Sequence, residues 1–272
     1  MALNSPREWF SKCAFCIPFT RNLPVDRLFT TPQQEEVLAR LAYAAERRWF
    51  GVLTGDCGSG KSTLIRKLTH KLDNSGYRTL YLADSQLTPR HFYNGILRQL
   101  GAEGCFYRGD AKRRLHREIE LLQSIQHVKP VVIVDEAHLL DRETMEELRF
   151  LLNFKIDSDS PMALLLVGQP ELIDKLRRQA YLAIEQRVNL KCYNPYLDEA
   201  QTKAYILHHL AYANSSSEIF SDQAISEIFR YSAGSARLIN KACTHCLMYG
   251  SQQNKKILDD ALARYVIEQE LI

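Results

Sequence analysis

Short apolar runs alternate with longer amphipathic stretches between about residues 49 and 193. The runs are rich in Val, Ile and Leu and have the length of buried strands, whereas the stretches between them repeat apolar residues at helical spacing. The predicted strands are Trp49–Thr54, Thr79–Ala83, Val131–Val134, Met162–Val167 and Val188–Tyr193. This alternation favours the α/β fold class, with one five-stranded parallel sheet flanked by helices.

Residues suited to helix ends flank the predicted helices. Thr88 and Pro89 suit the cap and first turn of a helix that stops before Gly101, while Asp110 and Asp141 each stand where they can cap a helix. Upstream, residues 31–34 have the spacing of a capping box. The helices predicted between the strands are Lys61–Asn74, Pro89–Leu100, Ala111–Gln126 and Arg142–Asn153.

The pattern changes after the last predicted strand. From about Asp198 onward only helical periodicity is present, which predicts a small all-helical lid. We therefore expect three segments: an N-terminal segment with a leading helix over residues 1–48, an αβα core over 49–196 and the lid over 197–272.

Composition is that of an ordinary globular protein, with 46% hydrophobic and 25% charged residues in a chain of 272. The net charge of +3 does not by itself require a polyanionic partner, so any nucleic-acid site must be local. The seven Cys are scattered, the start of the chain has no basic and apolar leader, and no apolar run is long enough to span a bilayer. These features predict a cytoplasmic protein without a membrane segment.

Residues 55–62 match the phosphate-loop pattern G-x-x-x-x-G-K-[ST] in full, between a predicted strand and a predicted helix. Glycines let the backbone wrap a phosphate, Lys61 reaches the β- and γ-oxygens, and the Ser62 hydroxyl is a ligand for Mg²⁺. The pattern therefore predicts ATP and Mg²⁺ as the bound species. The candidate nucleotide-binding residues are Gly55, Asp56, Cys57, Gly58, Ser59, Gly60, Lys61, Ser62 and Thr63.

A second motif follows the third predicted strand, where Asp135 and Glu136 come directly after a buried apolar run. The carboxyl ends of parallel strands share one edge of a sheet, so both acids are expected beside the phosphate loop. Asp135 is then a candidate Mg²⁺ ligand together with Ser62, and Glu136 is a candidate base that orients and polarises the attacking water. A helix cap is the alternative role for paired acids at a strand end.

These two motifs, together with three later segments, resemble an AAA+ ATPase of the ExeA-like group. The later segments are Val167 to Leu172 (V-G-Q-P-E-L), Glu185 to Arg187 (E-Q-R) and Gly234 to Asn240 (G-S-A-R-L-I-N). The group includes secretion-pathway ATPases and DNA-transposition ATPases of the Mu B, IstB and TnsC types, the latter being closest in architecture. The resemblance implies an AAA+ P-loop core with a C-terminal helical lid.

The resemblance also implies roles for three polar residues. Gln169 resembles the sensor-1 residue, which contacts the γ-phosphate or the attacking water. Arg187 resembles the arginine finger presented to a neighbouring subunit, although Arg177 and Arg178 compete for that role, and Arg237 resembles the sensor-2 arginine of the lid. In the sensor-2 segment Ala236 stands where many relatives have Pro.

A basic stretch lies between residues 108 and 117, with five basic residues and one acid. In transposition ATPases that form rings or helical filaments, comparable loops bind DNA phosphates without reading sequence. Arg90, Lys112 and Arg113 are therefore candidate DNA-binding residues. A solvated helix face is the alternative.

Cysteine and histidine patterns predict no further chemistry. Two C-x-x-C pairs, at 13–16 and 243–246, have thiols that would suit Zn²⁺ if the pairs met, but the second falls in a predicted helix where packing is favoured. His138 and the pair His208 and His209 lack metal-ligand spacing, so we interpret them as structural.

The leading hypothesis is an ATP-hydrolysing regulator of DNA transposition, which forms a homo-oligomer on double-stranded DNA and passes a target site to a transposase. The alternatives are a secretion-pathway ATPase and a nucleotide-ordered scaffold with negligible turnover. A secretion ATPase is expected to have a transmembrane segment and a peptidoglycan-binding extension, and this chain ends soon after its lid. The sequence therefore favours the DNA-transposition hypothesis.

Overall fold

The computed structural model describes residues 18–73, 76–83, 88–151, 160–215 and 218–271. Its chain divides into two compact units. One contains residues 32–56 and 61–194, and the other contains the described parts of 1–31 and 195–272 together with residues 57–60 of the phosphate loop.

The first unit is built on the five-stranded sheet that the sequence predicts. Its strands are β1 (Phe50–Thr54), β2 (Tyr77–Leu82), β3 (Lys129–Val134), β4 (Ala163–Gly168) and β5 (Leu190–Tyr193). All neighbouring strands pair in parallel, in the order β2-β3-β4-β1-β5. The three central strands are buried almost throughout, as a parallel sheet covered on both faces requires, whereas the edge strands β2 and β5 are partly exposed.

Helices cover both faces of this sheet. They are α1 (Pro32–Glu46), α2 (Lys61–Asp73), α3 (Pro89–Gln99), α4 (Arg108–Ser124), α5 (Arg142–Leu151), α6 (Glu171–Leu176) and α7 (Leu182–Glu185). Strand residues alternate between faces: Val52, Val132 and Leu164 share one core with α3, α4 and α5, while Leu53 and Ile133 share the other with α1 and α2. The sheet is therefore held rigidly between two cores, with its carboxyl edge left free to carry side chains.

Three N-terminal caps are predicted for helices that connect the strands, and the structure confirms two of them. Thr88 accepts the N–H of His91, and Asp141 accepts the N–H of Thr144 at 2.7 Å. Asp110 is not a cap, since α4 begins at Arg108 and Asp110 lies in its first turn, where it pairs with Arg113 and faces the helix dipole favourably. The predicted ends of α2 at residue 74 and of α5 at residue 153 lie outside the described residues.

The second unit is helical from residue 199 onward, as the periodicity after Asp198 predicts. Its helices are α8 (Glu199–Tyr212), α9 (Asp222–Ser232), α10 (Ala236–Gln252) and α11 (Asp260–Val266). They share one apolar core, which includes Cys243 and Cys246. Burial raises the pKa of both thiols, that of Cys246 to about 12, so both remain protonated and pack as small apolar groups. None of the helices described is long and apolar enough to cross a bilayer.

His209 makes the stability of this helical unit sensitive to acid. Its Nδ1 accepts the N–H of Phe19 at 3.2 Å, and its ring stacks on that of Phe19. Burial, with a smaller contribution from His208, lowers the pKa of His209 from 6.5 to about 4. Because the unfolded chain takes up this proton first, stability is complete above pH 6.5 and decreases as the pH falls towards 4.

We expect the helical unit to lose roughly 2–3 kcal/mol between those pH values through this residue. Urea unfolding followed at several pH values measures the loss. In His209→Gln, which keeps an acceptor but cannot be protonated, the slope between pH 6.5 and 4 should flatten. An unchanged slope in that variant would assign the acid sensitivity to other groups.

Candidate active site

The phosphate loop joins the end of β1 to the start of α2. Gly58 and Gly60 have φ of +84° and +96°, in the region that suits glycine, and this allows the loop to fold back over itself. Lys61 is a buried residue, with 8% of its surface exposed. Its ammonium donates hydrogen bonds to the carbonyls of Gly55 (2.7 Å) and Asp56 (3.0 Å). The loop therefore holds a buried cation at the N-terminus of a helix, the arrangement that binds phosphate.

The register of the sheet places β1 and β3 at the same level. Val52 on β1 and Val134 on β3 both pair with Leu166 on β4, which is the strand between them. Strands lie about 4.8 Å apart, so the ends of β1 and β3 are about 10 Å apart across one edge. The phosphate loop after β1 and Asp135 after β3 therefore start from the same edge of the sheet.

Two contacts hold the carboxylate of Asp135, which is 6% exposed as a residue. One oxygen accepts the hydroxyl of Tyr81 at 2.6 Å and the other accepts the N–H of Glu136 at 2.9 Å. Burial, reinforced by the hydrogen bond to Asp135, raises the pKa of Tyr81, so its hydroxyl stays a donor. The side chain of Asp135 is thus held in a defined orientation.

Glu136 differs from Asp135 in both exposure and backbone. Its side chain is 48% exposed, and its φ of +50° lies in the left-handed region that non-glycine residues rarely adopt. Such backbone conformations cluster at functional sites because the surrounding structure must hold them in place. The turn directs an accessible carboxylate away from the strand, which suits contact with water.

Gln169 follows the last residue of β4 and is in contact with His138, from the turn after β3. Its Nε2 lies 3.1 Å from Nε2 of His138, and Nδ1 of the same imidazole lies 3.5 Å from Oε2 of Glu136. The ammonium of Lys175 donates to the carbonyls of His138 (3.0 Å) and Leu140, which anchors this turn. One histidine therefore lies between the candidate sensor and the candidate base.

The oxygen donors of the site fit the ion that the phosphate-loop motif implies. Ser62 and Thr63 lie in the first turn of α2, where the hydroxyl-bearing side chain of Ser62 is exposed. The hydroxyl of Ser62 and the carboxylate of Asp135 are hard oxygen donors, the kind that Mg²⁺ prefers beside phosphate oxygens and water.

Arg237 contacts the tip of the phosphate loop within the helical unit. Its Nη1 donates to Sγ of Cys57 at 3.2 Å, and its backbone N–H to the carbonyl of Gly58 at 3.4 Å. A Cβ added to Gly58 would lie 2.4 Å from Oγ of Ser235, so glycine is required for this close approach. The exposed thiol of Cys57 thus has a specific neighbour.

The candidate finger arginines lie in the segment between β4 and β5. Arg187 is partly exposed between α7 and β5, and its backbone N–H bonds to the carbonyl of Ile184. Arg177 and Arg178 are exposed after α6, and Arg177 lies 3.8 Å from Asp174. The choice among them stays a prediction.

The three candidate DNA contacts have different surroundings. The guanidinium of Arg90 lies 4.7 Å from the ring centroid of Phe106, an aromatic side chain that is 72% exposed. Arg113 is exposed and pairs with Asp110, whereas Lys112 lies 3.3 Å from Glu147, which is 11% exposed. Arg90 and Arg113 are thus available to solvent, while Lys112 neutralises a largely buried carboxylate.

The described residues contain no zinc site formed by the two C-x-x-C pairs. Cys13 and Cys16 lie outside the described residues. Elsewhere in the part of the chain that the structure covers, no group of three or more His, Cys, Asp or Glu side chains is arranged for a metal.

Sequence reasoning missed Tyr81 and His138. The sequence pattern does not single out Tyr81 and suggests a structural role for His138, whereas Tyr81 donates to the candidate metal ligand Asp135 and His138 lies 3.5 Å from the candidate base Glu136. A signal was present for each: Tyr81 interrupts the apolar pattern near the end of β2, and His138 stands three residues beyond Asp135.

The chain is similar in sequence to a known family and to a curated protein. Residues 44–176 match the family described as AAA domain. The chain is 30% identical over 258 residues to General secretion pathway protein A of Aeromonas hydrophila, covering 92% of this chain but 46% of that protein. The chain therefore spans about half the length of this curated relative.

Three solved structures with the same fold are distant from this chain in sequence. Cdc6p from Pyrobaculum aerophilum has a TM-score of 0.69 at 17% identity, covering 88% of this chain and 67% of that one. Drosophila ORC bound to DNA has a TM-score of 0.70 at 17% identity, with 92% and 63% covered. The Thermotoga maritima RuvB Holliday junction branch migration motor has a TM-score of 0.62 at 17% identity, with 92% and 72% covered.

These comparisons bear on the sequence predictions in two ways. The structural likeness confirms the predicted fold, an AAA+ P-loop core with a five-stranded parallel sheet flanked by helices. The family match and the secretion-pathway relative support an AAA+ ATPase and an ExeA-like resemblance. The finer likeness to transposition ATPases rests on the sequence motifs alone.

Proposed function

We propose that this chain is an ATP hydrolase of the AAA+ type that works as a homo-oligomer with ATP-Mg²⁺ as its substrate. One observation supports this most directly: the sheet order and register bring the phosphate loop and the Asp135–Glu136 pair to the same edge of one sheet. Since ATP is the substrate, we propose the cytoplasm as its compartment.

The residues divide the proposed reaction between them. The loop N–H groups and the ammonium of Lys61 bind the β- and γ-phosphates, while Ser62 and Asp135 hold Mg²⁺, which neutralises phosphate charge when bound. Glu136 orients the attacking water and accepts its proton, and Gln169 bonds the γ-phosphate or that water. Glu136 is suited to this because its carboxylate is exposed while its backbone is held by Asp135.

Two arginines complete the proposed charge stabilisation. Arg237 is proposed to contact phosphate in its own subunit, a role supported by its bond to the phosphate-loop residue Cys57. Arg187 is proposed as the finger supplied to a neighbouring subunit, and such a finger increases turnover by roughly 10³–10⁵-fold. ATP would then stabilise the subunit interface, and hydrolysis would weaken it.

Two hypotheses remain for what the ATPase drives. The relative named General secretion pathway protein A favours a secretion-pathway role. The exposed Arg90 and Arg113 favour the other hypothesis, in which the oligomer assembles on double-stranded DNA and regulates a transposase. Turnover measured with and without duplex DNA separates them, because DNA-stimulated hydrolysis is expected only from the second. No turnover under either condition would leave the nucleotide-ordered scaffold.

For the DNA hypothesis we expect the double variant Arg90→Ala and Arg113→Ala to weaken ATP-dependent DNA binding equally on all sequences. Loss of two phosphate contacts should reduce the slope of log K against log salt by about 2. Fluorescence anisotropy of a labelled duplex at several salt concentrations measures this slope. Arg230→Ala, another exposed arginine paired with an acid, is the matched control. An unchanged slope in the double variant would show that these side chains do not contact DNA phosphates.

A further inference from the structure

His138 lies between two side chains that have separate tasks in the proposed reaction. Its imidazole faces Gln169 with Nε2 and Glu136 with Nδ1, at 3.1 Å and 3.5 Å. The imidazole is 12% exposed, and its Nδ1 is buried without a hydrogen-bond partner among the described residues. A largely buried imidazole with one nitrogen facing an accessible carboxylate can orient that carboxylate through a hydrogen bond.

The turn that carries His138 is held in place independently of the imidazole. Lys175 donates to the carbonyls of His138 and Leu140. The backbone of Gly168 packs so closely that an added Cβ would lie 3.2 Å from N of His138 and 3.4 Å from its Nδ1. The imidazole therefore has a fixed position, and Glu136, whose side chain is 48% exposed, is the partner able to move.

The hydrogen bond to Gln169 determines where the imidazole carries its proton. The amide nitrogen of Gln169 is a donor, so Nε2 of a neutral His138 must accept and the proton must lie on Nδ1. That proton faces Oε2 of Glu136. At 3.5 Å the pair is longer than an N–H···O hydrogen bond, and a shift of about 0.5 Å by the carboxylate would close it.

We infer that His138 is a positioning residue that couples Gln169 to Glu136, resting on the proposed function of this site as an ATPase. Gln169 donates to Nε2, and the Nδ1–H group of His138 directs the carboxylate of Glu136. When Gln169 turns to a γ-phosphate, its bond to Nε2 is released and the restraint on Glu136 changes with it. The imidazole of His138 thereby makes the orientation of Glu136 depend on whether Gln169 contacts a γ-phosphate.

Turnover of three variants tests the coupling. His138→Leu fills the space without a donor and should lower kcat about 10- to 100-fold, because Glu136 loses its orientation, while the Kd for ATP remains unchanged. His138→Asn keeps an amide near Nδ1 and should restore most of that loss. In the double variant His138→Leu with Gln169→Ala, the losses should be smaller than the product of the single effects, since the residues act as one unit.

A second measurement uses the nucleotide-free protein. Long-range ¹H–¹⁵N correlation spectra, with the His138 signals assigned by their absence in His138→Leu, should show the Nδ1–H tautomer. Gln169→Ala should shift His138 towards the Nε2–H tautomer. An Nε2–H tautomer in the wild type would overturn the inference.

The outcomes distinguish this inference from the function it rests on. Wild-type turnover in His138→Leu, beside an inactive Glu136→Gln, would overturn the role of His138 and leave the ATPase in place. A wild type without turnover would remove the ATPase, while the tautomer would still test the contact with Gln169. A loss of kcat that His138→Asn does not reverse at all would also count against positioning through Nδ1.

Discussion

Replacing Lys61 with alanine is expected to abolish detectable nucleotide binding. The ammonium is the buried positive charge of the phosphate loop, and ATP brings several negative charges to the same place. Loss of a buried charge-assisted contact to phosphate costs about 3–5 kcal/mol, which corresponds to a Kd weaker by roughly 150- to 5,000-fold. Titration with a fluorescent ATP analogue measures it.

The control for this variant must separate lost charge from lost folding. Lys61 also bonds to the carbonyls of Gly55 and Asp56, so its removal changes the loop itself. Lys71→Ala removes an exposed lysine from the same helix and should bind ATP as the wild type does. Thermal unfolding of both variants checks that each is folded. ATP-dependent oligomers that persist in a folded Lys61→Ala protein would contradict the assignment of the site.

Replacing Glu136 with glutamine is expected to stop turnover while leaving ATP bound. Glutamine has nearly the same shape but cannot accept a proton from water, so kcat should fall about 10²–10⁴-fold with an unchanged Kd. If ATP stabilises the subunit interface, the variant should also accumulate as the ATP-bound oligomer. Phosphate release and size-exclusion chromatography in ATP-Mg²⁺ measure the two effects.

Glu146→Gln provides the matched comparison, since Glu146 is an exposed carboxylate paired with Arg142. It should hydrolyse ATP at the wild-type rate. A Glu136→Gln protein that retains wild-type turnover would move the base to another residue. Slow turnover accompanied by a weaker Kd would instead indicate a damaged phosphate site.

Much of the fold is predictable because strong local signals agree with the tertiary arrangement. β1, β3 and β4 are buried on both faces, so their sequences are short, nearly continuous apolar runs, which the hydrophobic pattern reveals directly. Strand starts are less well predicted: β2 and β3 each begin two residues earlier than the pattern predicts, because their first residues include Arg78 and Lys129, which interrupt the apolar pattern. The Asp110 cap was wrong because a capping residue and a first-turn acid have nearly the same local sequence.

The sequence by itself determined the phosphate loop, the acids after β3 and the alternation of strand and helix, since each depends on residues that are neighbours in the chain. Only the tertiary structure decided that Tyr81 bonds to Asp135, that His138 lies between Glu136 and Gln169, and that Lys112 pairs with Glu147. Those partners come from different strands and helices, 54, 31 and 35 residues apart for the pairs with Asp135, Gln169 and Glu147. Their meeting depends on the order and register of the sheet and on how the helices pack against it, which no local pattern specifies.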